Sequence, residues 1–490
     1  MHSKVKNGLA LTALALFPAA ALATIPDPTW TGTYGNQWND VFRGIVATDD
    51  GGTVSAGYIY LSQTGSRRFR VLRTDAEGNE VWSYIWSDKS EGYDIVAAGD
   101  GGFIAVGYRS ISGRSYDPFA IKLDADGNLV WSNNYGTVNQ VYGEAIIRDA
   151  EGNFVIAGQA NFSTYSDYQG YIVKIDADGN RIWDQLYSGG GMHRKFFDIT
   201  LATDGTGYVV TGQDDSDWSN DMVVMKVGMG GAVAWTKTFN YPGLQAGNGI
   251  TGTTDGGYAI CGFQQSSGYD LLVKKVDSSG NPVWDYVLET SGTDYGTDIL
   301  EMSDGSLIAS GRSPELAGDQ PSGILIEFAA DGTLTDTRYF GGSAEDNIVG
   351  LAPTTDYSFV ACGLTNSFGA GAYDSWVLSF GAGIPPAPLG VDMTLSGSTY
   401  HIGDTLVYDV LLQNNTSEQV QVNYKEWVRL PAGIPYTLTQ TPMLLFGDGT
   451  AAGTMTHLIP PVAPLGDYTL FNEIEGPGIS AIDSVTFSIE

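Results

Sequence analysis

One pattern of about fifty residues recurs along most of this chain, and it leaves few folds open. A Trp heads a short alternating segment at Trp30, Trp82, Trp131, Trp183, Trp235 and Trp284, at intervals of 49 to 52 residues. The next equivalent falls at Asp336, where Thr337 to Gly342, "TRYFGG", keeps the pattern without the Trp. A Gly ends an apolar segment at Gly57, Gly107, Gly158, Gly212, Gly262, Gly311 and Gly363, which makes seven repeats.

Each repeat carries four short strand signals, a to d. In the second they are Asp94 to Ala98, Phe103 to Tyr108, Phe119 to Leu123 and Leu129 to Tyr135. Asp100-Gly-Gly102 joins a to b and Asp124-Ala-Asp-Gly-Asn128 joins c to d; Gly and Asn accept the positive φ of tight hairpins. Four antiparallel strands per fifty residues describe a propeller blade. The chain opens with a lone d signal, Trp30 to Gly35, and its last repeat ends on a lone c signal, Ser375 to Phe380. The first strand is therefore expected to complete the last blade and cover an open sheet edge. The fold class expected is all-β: a seven-bladed β-propeller over 24–380, a linker over 381–390, and a small β-sandwich over 391–490, where short alternating strands with Pro and Gly turns continue.

"GGFIAVGY…DPFAIKLDADGNLVW" resembles the kelch repeat and the repeat of proteins that dock pyrroloquinoline quinone. It is most similar to the propellers of secreted bacterial proteins, over about Trp30 to Phe380. The resemblance implies fold and says little of activity, since propellers host many functions. "YHIGDTLVYDVLLQNNTSEQVQV" resembles Ig-like modules that end bacterial surface proteins, without the Cys pair of antibody domains. Seven repeats differ from the eight of the quinone dehydrogenases.

Lys4 and Lys6, the apolar run Leu9 to Phe17, and the small-x-small Ala21-Leu22-Ala23 predict an export signal over 1–23 and a mature chain from Thr24. The expected location is outside a bacterial cytoplasm: secreted, at the cell surface, or in the periplasm. No other stretch is long and apolar enough for a transmembrane helix. With 24 basic against 56 acidic residues and a net charge of −32, nucleic acid is not an expected partner. Cys261 and Cys362 each precede a marker Gly, two repeats apart, beyond the roughly 7 Å Cα separation a disulfide allows. They read as small buried thiols.

The a–b and c–d turns share one face and are tight. The d–a and b–c connections share the other, are longer, and are rich in Tyr, Ser, Asp, Gln and Trp. That mix suits recognition, although solvated loops are polar in any case. Tyr60, Arg68, Arg109, Tyr116, Tyr165, Tyr168, Arg194, Trp218 and Tyr269 are the candidate ligand contacts. His193, Arg194 and Lys195 form a rare basic cluster.

Counting from the marker Gly, the start of strand a reads Gly44, Asp94, Ala145, Asp198, Gly249, Asp298, Gly350. Asp94, Asp198 and Asp298 could hold a hard cation such as calcium, the sole cofactor candidate; the plainer account is that Asp and Gly serve a turn there. The "DADGN" turns resemble the start of an EF-hand loop but lack its Glu at position twelve, and resemble the Asp box of sialidases with different spacing. The repeated Trp reads as packing. No nucleophile elbow, zinc-helix motif or phosphate loop is readable. The expected function is non-catalytic binding of a glycan or extracellular protein by the d–a/b–c face. The alternative is a polysaccharide lyase or glycosidase acting through the same loops.

Overall fold

The computed structural model describes residues 15–17, 25–63, 65–111, 114–136, 140–161, 168–189, 193–215, 220–240, 243–266, 268–290, 292–314, 320–354, 358–381, 389–414, 420–431, 435–445, 449–460, 463–476 and 479–490. Most of the expected export signal and most of the linker fall outside these. The described elements are all strands, and none of the described residues form a helix long and apolar enough to cross a membrane. The chain divides into two compact units, 23–382 and 1–22 with 383–490.

The larger unit is all-β and propeller-like. Repeat five shows the pattern: Gln245–Gly252, Tyr258–Gln265, Tyr269–Val276 and Pro282–Leu288 follow one another antiparallel. Strand c is apolar on both faces because it lies between neighbouring sheets; Met222 to Met225 are fully buried. Strand d alternates, since one face meets water; Val233 is exposed and Trp235 half-buried. Strand a of each repeat packs against strand a of the next, and Asp346–Pro353 packs against Asp40–Ala47. Trp30–Tyr34 pairs antiparallel with Asp374–Phe380, Trp30 opposite Ser379, as the outer strand of the last sheet. Cys261 and Cys362 are free, buried thiols in different sheets.

One boundary departs from expectation. Glu80–Ala97 runs unbroken from strand d of repeat one into strand a of repeat two. No Gly or Pro lies between Glu80 and Glu91 to interrupt it.

The repeated motifs join neighbouring sheets at their outer edge. Trp82 Nε1 donates to Ala125 O in the next c–d turn at 3.0 Å, Trp131 to Ala177 at 3.1 Å, and Trp183 to Met229 at 3.1 Å. Four residues on, Tyr34, Tyr135 and Tyr187 hydroxyls donate to Gly78, Gly179 and Gly231 carbonyls. Gly127 adopts φ 82°, and a Cβ there would sit 2.6 Å from Trp82, so the turn needs glycine for both conformation and space. The turn's first Asp accepts backbone N–H groups, as Asp124 does from Asp126 and Asn128. This is turn chemistry.

The smaller unit has two sheets. Gly449–Leu458, Thr405–Asn414 and Leu389–Leu395 form one, with Ala15–Phe17 at its edge. Thr399–Tyr400, Ile479–Ile489, Gly466–Gly476, Val420–Arg429 and Pro435–Leu445 form the other. Its core includes Met393, Tyr408, Val410, Val422, Leu470 and Phe487. Within it, buried Glu426 accepts from the Tyr408 hydroxyl and meets His457 Nε2 at 2.5 Å.

Candidate functional site

Every strand a carries a β-bulge at one register. Phe42 lies opposite Gly57 and Gly44 opposite Ala56, which leaves Arg43 outside the ladder. The same break isolates Tyr93, Glu144, Phe197, Asn248, Thr297 and Val349. The marker Gly is required opposite it: a Cβ on Gly57 would lie 1.9 Å from Val41 O.

The bulges give Asp94, Asp198 and Asp298 their role. They lie within strand a, just past the bulge, and not at a turn junction, which corrects the sequence reading. Asp94 Oδ1 accepts from Ile95 N at 2.7 Å, and Oδ2 accepts from Ile146 N of the next repeat at 2.8 Å. Asp198 serves Ile199 and Ile250 in the same way, and Asp298 serves Ile299 and Leu351. The alternation with small residues follows from close approach: a Cβ on Gly249 would lie 2.6 Å from Asp298 Cα. The carboxylates thus hold neighbouring repeats by their backbones. Among the described residues, no group of three or more His, Cys, Asp or Glu is placed to hold a metal ion. Burial, opposed by the backbone N–H bonds, lifts Asp94 to about 7 and Asp298 to about 6. Burial and the charges of Asp298 and Asp94 hold Asp198 well above the usual range. All three remain half-buried by accessible surface, so water tempers that desolvation.

The bulge residues of repeats one to three meet. The Arg43 guanidinium lies 4.3 Å from the centre of the Tyr93 ring. Buried Glu91 pairs with Arg67, lies 3.6 Å from Arg43, and accepts from the Tyr108 hydroxyl. Glu144 accepts from Gln159 Nε2 at 2.8 Å. Burial raises its carboxyl, against the pull of Arg43 and Lys195. Burial lowers the Lys195 ammonium, which Glu144 and Asp215 oppose.

Two groups of aromatic rings, together forming a belt, accompany these bulges. Tyr108 packs edge-on to Tyr116 at 4.7 Å and to Tyr142 at 5.3 Å. Lys195 lies 4.5 Å from the Tyr168 ring centre, and Lys89 5.6 Å from that of Tyr116. In repeats five and six Tyr269 stacks on Tyr295 at 5.0 Å beside Phe263, and Arg312 covers Tyr295. Glu345 accepts from Arg312 and from the Tyr373 hydroxyl, both at 2.6 Å. Most of these rings are half-buried: one face is packed and part stays open.

The expected contacts divide accordingly. Tyr60, Tyr116, Tyr168 and Tyr269 belong to the belt. Tyr165 and Trp218 lie outside the described residues. Arg68 is displaced by its neighbour: Arg67 turns to Tyr58 and Glu91, and successive strand residues face opposite ways. Arg109 packs over the Trp86 and Phe119 rings, 5.9 and 4.9 Å from their centres. Arg194 is half-buried in an ion pair with buried Asp214, its Nε 3.2 Å from Oδ2; it borders a cavity of about 440 Å³ between repeats three and four, with Gln185 and Gly231. Sequence reading missed Arg43, Tyr93, Glu144 and Glu91. Arg43, Tyr93 and Glu144 stand just before the Gly/Asp/Ala position, but Phe197, Asn248, Thr297 and Val349 stand there too, so the position carried no common residue signal.

No family model matches the chain, and no curated protein matches it. Among solved structures it is similar to Sqt1 from Chaetomium thermophilum, at 10% identity and TM-score 0.43, covering 75% of this chain and 100% of that one. It is also similar to the PQQ-bound form of an aldose sugar dehydrogenase from Streptomyces coelicolor, at 12% identity and TM-score 0.37, covering 72% and 99%.

Proposed function

We propose that this is an exported glycan-binding protein. In this reading the larger unit is a seven-bladed propeller closed by Trp30–Tyr34, and the smaller is an Ig-like sandwich serving as spacer or attachment module. The glycan lies across the rim where the d–a and b–c connections begin.

The belt from Tyr116 and Tyr142 round to Tyr269 and Tyr295 carries this conclusion. Tyr rings with one face packed present rigid apolar area at low entropic cost, and their hydroxyls can bond sugar hydroxyls. Arg43, Arg67, Glu91 and Gln159 supply charge and directional bonds among them. A glycan array with the full exported chain tests the reading; binding to no glycan would sink it.

Catalysis on the bound glycan is the second reading, and Glu144 favours it. A carboxyl lifted by burial, beside Arg43 and Lys195 among tyrosines, has the setting of a general acid. Product analysis on each array hit separates the two, since turnover would replace binding by catalysis.

A further inference from the structure

The chain holds 56 acidic residues against 24 basic ones, so a cation has acids in excess to pair with. At the outer edge the pairs are close: Arg73 meets Asp50 at 2.6 Å, Lys122 meets Asp100 at 2.5 Å, and Lys275 meets Asp255 at 2.7 Å. Three cations of the rim behave differently. Arg43, Lys89 and Lys195 lie over the rings of Tyr93, Tyr116 and Tyr168. Among the described residues, none accepts a hydrogen bond from any of the three.

Arg43 shows what this leaves open. It stands at the bulge of repeat one, outside the ladder, 4.3 Å from the centre of the Tyr93 ring and 5.8 Å from that of Tyr58. The Glu91 carboxylate is 3.6 Å away and is already engaged by Arg67 and the Tyr108 hydroxyl. The Arg43 side chain keeps 31% of its surface exposed. A guanidinium carries five N–H donors in a rigid fork, matched to the paired oxygens of an oxyanion. Here the rings hold the fork and leave its donors free for a ligand.

Glu144 lies within electrostatic reach of both Arg43 and Lys195. It forms an ion pair with neither; its hydrogen-bond donor is Gln159 at 2.8 Å, and burial favours its uncharged form. Burial also works against the Lys195 ammonium, so an arriving anion would relieve a cost already present. A chain of net charge −32 repels anions at long range. Cations left open on such a chain suit a ligand that must be held against that field.

We propose that the rim of repeats one to four selects an acidic glycan, with Arg43 and Lys195 holding its carboxylate or sulfate groups while the tyrosine rings pack its sugar faces. This rests on the glycan-binding reading and narrows it to charged polysaccharides.

The test is the glycan array with the full chain, including polygalacturonate for carboxylate, dextran sulfate for sulfate, and dextran and xylan as neutral polymers. Binding should fall on an acidic polymer, and the one bound identifies the oxyanion. Binding confined to neutral glycans overturns the proposal and leaves the glycan reading standing; binding to no glycan overturns both. Calorimetry then compares the bound acidic polymer with its carboxyl-reduced or desulfated counterpart, which should bind about tenfold more weakly. That comparison needs no variant. R43Q/K195Q, shown by its melt to be folded, should lose about tenfold in affinity for the acidic polymer. K237Q removes a charge at the outer edge, where Lys237 Nζ meets Asn281 at 3.0 Å, and should bind as wild type does. Equal affinity for the acidic polymer and its neutral counterpart overturns the proposal, as does wild-type affinity in R43Q/K195Q.

Discussion

Asp198 Oδ2 accepts the amide of Ile250 at 2.7 Å, fifty-two residues further on and in the neighbouring sheet. Its Oδ1 accepts the amide of Ile199 at 2.7 Å. Both residues follow a β-bulge on strand a, and the carboxylate supplies the acceptor their amides use. Asp198→Ala leaves two half-buried N–H groups without acceptors. It should cost about 2–4 kcal/mol in chemical denaturation. A loss below about 0.5 kcal/mol would mean that water serves those amides equally well.

The same carboxyls give a pH dependence of definite sign. Asp94 near 7 and Asp298 near 6 lie above the unfolded Asp value of about 3.9. Between the two values the folded chain holds more protons than the unfolded one. Their contribution is therefore fully present below about pH 4 and is lost as pH rises through 6 to 7. Urea midpoints of Asp94→Asn, compared with wild type between pH 5 and 8, should show a smaller decline with rising pH.

Outer-edge bonding predicts a graded effect at Trp131. Trp131→Phe keeps an aromatic ring over Gly179 and removes the N–H that donates to Ala177. About 0.5–1.5 kcal/mol should be lost. Gly127→Ala, which requires an unfavourable φ and places a Cβ against Trp82, should cost more than Trp131→Phe in the same thermal melts.

Arg194, an expected ligand contact, is half-buried in an ion pair with buried Asp214. Arg194→Met should lower stability by about 2–4 kcal/mol, because Asp214 keeps a buried charge without its partner. Glycan affinity measured well below the new melting point should stay within about twofold of wild type.

Much of the fold was legible because its signals are periodic. The Trp and Gly markers set the register, and the lone signals at Trp30 and Ser375 placed the first strand beside the last c strand. The rim was only partly legible. A bulge in a Gly-rich strand has no residue signature of its own, so Arg43, Tyr93 and Glu144 looked like ordinary strand positions. Parity at the strand ends was equally hidden, which is why Arg68 was chosen where Arg67 makes the contacts.

The central claim is that the tyrosine rim binds glycan. The most direct measurement is calorimetric affinity for the best array hit with wild type, with Tyr116→Ala/Tyr142→Ala at the rim, and with Asp126→Ala on the opposite turns. The account predicts at least a tenfold loss of affinity in the rim variant, with its Tm within a few degrees of wild type, and unchanged affinity in the control. Equal affinity for all three chains would contradict it.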